Sequence, residues 1–125
     1  MKCLHIITPV KDSIDSTLET VKAIMESDIL VPFTYTVYND FSTEENTHRL
    51  EEAARQWNFR LVNLSDLTDH PSPNYLLVLQ TAQKEAIEAD AGLLIVESDV
   101  IVKKNTLQSL YNGASVSYTH LRAHE

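Results

Sequence analysis

Two acidic side chains follow the most apolar segment of the sequence. Residues 92–96, GLLIV, have the length and composition of a strand that is buried on both faces, and Glu97 and Asp99 come directly after it. If the strand geometry persists past Val96, these two side chains project to the same side and present two carboxylates to one point. Two hard oxygen ligands with open positions suit Mg²⁺ or Mn²⁺ carrying a phosphate-containing substrate. The alternative is that they only solvate the end of a strand.

A third acidic residue, Asp40, closes residues 33–38, a segment rich in β-branched and aromatic side chains that is typical of a strand. In nucleotide-binding α/β domains, an acidic residue at this place commonly accepts hydrogen bonds from a ribose or a base. An ordinary turn or helix-capping role is the alternative for Asp40. The chain has two glycines and neither a G-x-G-x-x-G nor a G-x-x-x-x-G-K-[ST] motif, which argues against a dinucleotide fold and a P-loop. A bound diphosphate would therefore need a cation.

Strand-like and helical segments alternate along the chain and must position these side chains. Strands are expected at residues 4–7, 33–38, 59–64 and 92–96, and helices at residues 13–28, 42–57, 73–90 and 103–110. Ser42 with Glu45 forms a capping box for the second helix, and Ser72 with Pro73 begins the third. This order predicts an α/β domain with a mostly parallel sheet of about four strands and helices on both faces. Ligands bind such sheets beyond the carboxyl ends of the strands.

Length and composition limit the possible partners. The 125 residues correspond to one domain, and the net charge of −8 argues against nucleic acid or an anionic membrane surface as a direct partner. A single cysteine, no secretory signal and no apolar run long enough for a bilayer lead us to expect a cytoplasmic protein. The five histidines show no metal-binding spacing, which argues against a zinc site.

Three segments, taken in order, resemble the nucleotide-sugar-binding half of family 2 glycosyltransferases of the GT-A fold. They are residues 6–11, IITPVK, residues 37–43, VYNDFST, and residues 94–102, LIVESDVIV. In that family the first strand ends in Thr-Pro or a similar pair, the second in an Asp-Asp-Gly-Ser-like turn, and the fourth in Asp-x-Asp. The resemblance covers about residues 4–110 and implies a Rossmann-like GT-A half-domain.

The resemblance implies roles for five residues. Thr8 and Pro9 would line the nucleobase pocket, and Asp40 would contact the base. Asp99 would bind the Mn²⁺ or Mg²⁺ that bridges the diphosphate, with Glu97 nearby toward the metal or the ribose. The implied reaction transfers a hexosyl group from a UDP- or GDP-linked sugar to a hydroxyl of a saccharide or lipid-linked saccharide. The metal stabilises the diphosphate as it leaves.

Departures from the family pattern limit what the resemblance implies. Phe41 stands where the family has a glycine, and Glu97 replaces the first aspartate of Asp-x-Asp. The family's catalytic base lies in the second half of the domain, beyond the end of this chain, so no catalytic residue is assigned. We therefore expect the chain to be inactive alone, and its parent to be cytoplasmic or peripheral at the inner membrane face.

Two other interpretations stay open at this point. One is a non-catalytic, Mg²⁺-binding regulatory module of the response-regulator type, for which Asp12 would supply the early acidic group; the late strand that carries its lysine is not evident. The other is a sugar-phosphate nucleotidyltransferase, which shares the half-fold but usually has a glycine-rich loop after its first strand. That loop is missing here.

The end of the chain differs in composition from the rest. By the resemblance we expect residues 1–114 to be the N-terminal part of a GT-A glycosyltransferase domain and residues 115–125 to be a non-native or disordered tail, because the tail resembles translated adapter-like sequence and fits no element that the fold needs next. One edge of the strand at residues 92–96 would then lack a partner. An apolar edge of this kind predicts self-association.

Overall fold

The structure is a computed structural model that describes residues 2–113 and the backbone of residues 118–121. The elements, in chain order, are β1 (Cys3–Val10), α1 (Ile14–Met25), β2 (Phe33–Asn39), α2 (Glu44–Trp57), β3 (Arg60–Asn63), a single 3-10 turn (Leu64–Asp66), α3 (Tyr75–Glu88), β4 (Ala91–Val96), α4 (Thr106–Gly113) and β5 (Tyr118–Leu121). The five strands form one parallel sheet in the order β3-β2-β1-β4-β5. The prediction of an α/β domain with a mostly parallel sheet is confirmed.

Each face of the sheet buries its own hydrophobic cluster, because successive side chains of a strand point to opposite faces. In β1, Leu4, Ile6 and Val10 belong to one cluster and Ile7 to the other. The first cluster takes its helical side chains from α1 (Ile14, Val21, Ile24), α2 (Leu50, Ala53) and α4 (Leu107), and the second from α3 (Val78, Ala82, Ala86). Helices therefore cover both faces, as predicted. No helix in the described part of the chain has the length and apolar character needed to cross a bilayer.

The edge of β4 that the sequence analysis expected to be open is covered by β5. Residues 93–96 pair in parallel with residues 118–121. The expectation of an unpaired edge on β4 is therefore wrong. The argument for self-association through that edge no longer applies. Four residues of the segment 115–125 form a strand, while residues 114–117 and 122–125 lie outside the described residues. That the segment is non-native stays a prediction.

The first strand is longer than expected and includes Thr8 and Pro9. It pairs with β2 as far as the partners Val10 and Asn39, whereas its pairing with β4 ends at Ile7 and Ile95. Proline has no N–H to donate to a neighbouring strand. Pro9 is tolerated in β1 because it lies past the end of the β4 pairing.

All four helices begin later than the sequence predicted, and in α2 and α3 the cap also differs from the predicted one. The N-cap of α2 is Thr43, whose Oγ1 accepts a hydrogen bond from the backbone N–H of Asn46 (3.3 Å), and not Ser42. The hydroxyl of Ser42 instead accepts a hydrogen bond from the backbone N–H of Asp12 (2.8 Å). The N-cap of α3 is Asn74, so Ser72 and Pro73 precede that helix. In both cases a contact with another loop determines where the helix starts.

A polar cluster holds the second half of α3 against three strands. The Glu85 carboxylate accepts two hydrogen bonds from the Arg60 guanidinium (2.7 and 2.8 Å) and one from the Tyr38 hydroxyl (3.0 Å). Its Oε1 lies 3.9 Å from Nε2 of His5. Arg60, Tyr38 and His5 belong to β3, β2 and β1, so this cluster fixes the position of α3 relative to the sheet. It thereby also fixes where α3 begins, at the opposite edge of the sheet.

His5 lies at the buried end of this cluster. It is 5% exposed, and its Nδ1 lies 2.6 Å from Thr34 Oγ1. Burial lowers the pKa of His5; the Glu85 carboxylate opposes this effect, and the Arg60 guanidinium adds to it. Because folding lowers the pKa of His5, the unfolded chain binds a proton at this group more readily than the folded chain does. The stability that the neutral group allows is therefore fully present above the unfolded pKa of 6.5 and is lost as the pH falls below that value.

We therefore expect the free energy of unfolding to fall between pH 7 and pH 5.5, by at most about 1.4 kcal/mol per pH unit from this group. Urea denaturation at several pH values measures the slope, and His5→Gln should reduce it. His48→Gln, which changes an exposed histidine of α2, is the matched control and should keep the slope. An identical slope in His5→Gln and the original chain would contradict this assignment.

Candidate functional site

A hollow of about 230 Å³ opens at the carboxyl edge of the sheet. One wall is formed by the ends of β1, β2 and β4, and the other by the segment that leads into α3 and by its first turn. The lining residues are Pro9, Val10, Lys11, Asp40 and Glu97 on the strand side, and Ser72, Pro73, Tyr75 and Val78 on the helix side. This is the edge at which parallel α/β sheets bind ligands.

The hollow brings together three of the five residues that the sequence analysis selected: Pro9, Asp40 and Glu97. Thr8 and Asp99 are not among its lining residues. The side chains of Pro9 and Thr8 diverge because neighbouring residues of a strand face opposite sides of the sheet.

Thr8 faces the core on the other side of β1. Its side chain is fully buried, and its Oγ1 accepts a hydrogen bond from the Tyr35 hydroxyl (2.7 Å). Burial also raises the pKa of Tyr35 well above its ordinary value. The Thr8 hydroxyl therefore links β1 to β2 inside the core and does not face the hollow.

The segment after β4 is a turn and not a continuation of the strand. The backbone N–H of Val100 donates to the carbonyl of Glu97 (3.2 Å), and the Thr20 hydroxyl of α1 donates to the carbonyl of Ser98 (3.0 Å). The expectation that strand alternation carries Glu97 and Asp99 to the same side is therefore wrong. Glu97 is half-buried in the wall of the hollow, whereas Asp99 is exposed on the same turn.

The Asp40 carboxylate connects the end of β2 to the start of α3. Its Oδ2 accepts hydrogen bonds from the Ser72 hydroxyl (2.9 Å) and the backbone N–H of Asn74 (2.8 Å), and its Oδ1 accepts one from the Asn74 amide (2.8 Å). The backbone N–H of Asp40 donates to the Val10 carbonyl (2.7 Å). Asp40 therefore anchors the start of α3, whereas Thr43 caps α2, the helix that follows Asp40 in the chain; the bonds to Ser72 and Asn74 form a wall of the hollow.

A second carboxylate, that of Asp12, joins the loops after β1 and β2. Its Oδ1 accepts hydrogen bonds from the backbone N–H of Thr43 (2.8 Å) and from the Asn46 amide (3.0 Å). The hydrogen bond from Thr43, followed by that from Asn46, lowers the pKa of Asp12. These bonds hold the two loops together beside the hollow.

Lys11 is a site residue that the sequence analysis missed. Its Nζ donates to the Phe41 carbonyl (3.0 Å) and lies 3.4 Å from the Asp12 carboxylate, while the side chain lines the hollow and is half exposed. It supplies positive charge beside the carboxylates of Asp40 and Glu97. The sequence did offer a signal for Lys11, because it follows Thr8, Pro9 and Val10 at the carboxyl end of the first strand, the edge at which the site was expected.

Phe41 keeps a glycine-type backbone conformation. Its φ of 62° lies in the left-handed region, which costs a residue with a side chain roughly 1–2 kcal/mol. Two contacts hold the turn: Lys11 binds the Phe41 carbonyl, and the backbone N–H of Ser42 donates to Asn39 Oδ1 (3.2 Å). The turn after β2 therefore has the backbone shape that a glycine would favour, although the chain has none there.

The carboxylates at this edge do not by themselves form a closed metal site. Within residues 2–113, the structure contains no group of three or more histidine, cysteine, aspartate or glutamate side chains arranged to hold a metal ion. Magnesium is usually bound through one or two carboxylates together with substrate phosphates and water, and not by a complete protein cage. Glu97, in the wall of the hollow, is a carboxylate donor of the type that such a cation takes, whereas Asp99 lies on the same turn outside the lining.

Comparison with known proteins gives matches only among solved structures. No family model matches the chain, and no curated protein matches it. Residues 1–349 of S. aureus TarS superpose with a TM-score of 0.66 at 22% identity, over 90% of this chain and 32% of that one. The complex of the same TarS segment with UDP-GlcNAc gives 0.61 at 23% identity, over 90% and 30%.

A mannosyltransferase has the same fold. PcManGT from Pyrobaculum calidifontis, in complex with GDP-Man and Mn²⁺, superposes with a TM-score of 0.66 at 17% identity, over 92% of this chain and 32% of that one. At such identities the likeness shows a shared fold. The chain spans about one third of the length of each of these structures.

The hydrogen bonds of Asp40 predict that this residue matters for stability before any ligand is added. Asp40→Asn places an amide against the Asn74 donors, and should lower the free energy of unfolding by about 1–3 kcal/mol in urea denaturation. Asp99→Asn, which removes the same charge from an exposed turn, should change it by less than about 0.5 kcal/mol. Equal effects of the two substitutions would contradict the anchoring role.

Proposed function

We propose that this chain is the donor-binding part of a family 2 glycosyltransferase of the GT-A type, and that the hollow binds a UDP- or GDP-linked sugar together with Mn²⁺ or Mg²⁺. The main support for the proposal is that Pro9, Asp40 and Glu97 line one hollow at the carboxyl edge of the sheet. Two fold neighbours with UDP-GlcNAc and with GDP-Man and Mn²⁺ support the choice of ligand class.

The nucleoside would occupy the part of the hollow between Pro9, Asp40 and Tyr75. A carboxylate has about four acceptor sites, and the Asp40 side chain uses three in holding Ser72 and Asn74. One acceptor site is left for an N–H of the base. Pro9 and Tyr75 would supply apolar surface for its ring, and Thr8 would support them from the core without touching the ligand through its hydroxyl.

The diphosphate would lie toward Lys11 and the turn after β4. Glu97 and Asp99 would hold the cation, and the Thr20 hydroxyl, bound to the Ser98 carbonyl, keeps that turn in place. The bound cation would supply positive charge that stabilises the leaving diphosphate. Lys11 would add a second positive charge at the same edge, since its Nζ is already held there by the Phe41 carbonyl.

The transfer step would need groups that this proposal does not place in the chain. We propose that the catalytic base and the residues that bind the acceptor, a saccharide or lipid-linked saccharide, belong to the remainder of a parent enzyme that acts on hexosyl donors in the cytoplasm or at the inner membrane face. Residues 2–113 would bind and orient the donor for that step.

Thermal unfolding in the presence of nucleotide tests the proposal. UDP or GDP at a concentration tenfold above its Kd, with Mn²⁺, should stabilise the chain by about 1.4 kcal/mol, a rise in Tm of roughly 5 °C or more. Asp99→Ala and Glu97→Gln should remove the Mn²⁺-dependent part of this rise. Glu88→Gln, which changes an exposed carboxylate at the far end of α3, should keep it.

Two outcomes would contradict the proposal. One is nucleotide stabilisation that is equal with and without Mn²⁺ or equal in Asp99→Ala. The other is stabilisation by Mg²⁺ with beryllofluoride, an analogue of a phosphoryl group, in the absence of any nucleotide response. The second result would favour the regulatory module.

A further inference from the structure

The hydroxyl side chains of α1 do not all have the same kind of partner. Ser16 and Thr17 donate to the carbonyl of Ser13 in the preceding turn of the chain (3.1 and 2.7 Å), a local pairing that serine and threonine hydroxyls commonly adopt in helices. Thr20 is fully buried and donates instead to the carbonyl of Ser98, 78 residues away along the chain (3.0 Å). The Thr20 hydroxyl therefore serves a tertiary contact and not its own helix.

This contact reaches the residue between the two proposed ligands of the cation. Ser98 lies between Glu97, in the wall of the hollow, and Asp99, which is exposed on the same turn. A carbonyl and the N–H of the next residue belong to one planar peptide group. The bond from Thr20 therefore fixes the orientation of the peptide that joins Ser98 to Asp99, and this orientation sets where Asp99 lies relative to Glu97.

Other contacts restrain the turn on either side of that peptide. The backbone N–H of Val100 donates to the Glu97 carbonyl (3.2 Å), and the side chains of Val100 and Val102 pack in the first hydrophobic cluster. These contacts hold the ends of the turn, whereas the Thr20 hydroxyl holds its middle. We therefore expect the turn to keep its place without the Thr20 bond, while the peptide between Ser98 and Asp99 gains freedom to rotate.

We propose that Thr20 is a positioning residue for the cation: without touching the donor or the metal, it keeps Asp99 and Glu97 at the spacing at which both bind one ion. This inference rests on the proposed function, whose cation it concerns. Removal of groups that orient metal ligands typically weakens metal binding by about 10–100-fold. The effect of Thr20 therefore belongs to the metal-dependent part of nucleotide binding, and not to the part that Pro9 and Asp40 provide.

The substitution Thr20→Val in the full chain removes the hydroxyl and nearly keeps the volume of the side chain. Calorimetry gives the Kd of UDP or GDP in EDTA and in Mn²⁺, and the ratio of these two values measures the coupling between nucleotide and metal. We expect Thr20→Val to lower this ratio about tenfold and to leave the Kd in EDTA unchanged within about twofold. A purely structural role would not lower the ratio.

Thr17→Val is the matched control, because Thr17 is equally buried in α1 and its hydroxyl bonds locally to Ser13. Both substitutions should lower Tm, since each removes a hydrogen bond, but Thr17→Val should keep the ratio. Thr20→Ser retains the hydroxyl and should keep most of the ratio. Thr20→Ala removes the same hydroxyl without adding a methyl group and should give the same loss as Thr20→Val.

The outcomes separate this inference from the proposed function. An unchanged ratio in Thr20→Val and Thr20→Ala would overturn the positioning role and leave the proposed function intact. An equal loss in Thr17→Val would also overturn it, because the effect would then follow the stability of α1. If the original chain binds nucleotide equally in Mn²⁺ and in EDTA, the proposed function fails and this inference fails with it.

Discussion

The hydrogen bonds of the Asp40 carboxylate are the interaction on which the site depends. They bind the segment before α3 to the end of β2 and hold that part of the helix-side wall against the strand ends, while Val78 packs the first turn of α3 against the sheet through the second hydrophobic cluster. The other half of the same helix is fixed by Glu85 through Arg60 and Tyr38. Two carboxylates thus hold α3 near its two ends, one at each edge of the sheet.

The hollow is small relative to the ligand class that we propose for it. Its volume of about 230 Å³ is below the range of about 300–1,000 Å³ that is usual for complete small-molecule sites. A complete donor bound as we propose would therefore extend beyond the hollow, with its nucleoside between Pro9, Asp40 and Tyr75. The chain spans about one third of the length of these structural neighbours.

Much of the fold could be predicted because its signals are local. The apolar segment of β4, the β-branched segment of β2 and the helical spacing between them determine the strand and helix order, and parallel pairing places Pro9, Asp40 and Glu97 at one edge. The resemblance added the expectation of a nucleotide-sugar ligand. Neither the helix-anchoring bonds of Asp40 nor the contact of Lys11 with Phe41 has a local signal, since their partners lie about thirty residues away along the chain.

The errors share a physical cause. Thr8 was expected to line the ligand pocket as part of the loop after a short strand. Because β1 continues to Val10, Thr8 is a strand residue, and strand alternation turns its side chain to the core. Ser42 has the sequence of a helix cap, yet the N–H of Asp12 occupies its hydroxyl, and Thr43 caps α2 instead. The turn after Val96 is held by Thr20 of α1. In each case a tertiary contact overrides a local sequence pattern. Such contacts are not visible in a single sequence.

The most direct measurement of the donor site is the broadening of amide NMR signals by Mn²⁺, because paramagnetic broadening falls steeply with distance from the ion. In the presence of UDP or GDP, substoichiometric Mn²⁺ should broaden the amide signals of Lys11, Glu97 and Asp99 and leave those of His5 and Glu88 at the other edge sharp. Without nucleotide the effect should be much weaker. Broadening that centres away from the turn after β4, or that nucleotide does not change, would contradict a cation-held diphosphate at this edge.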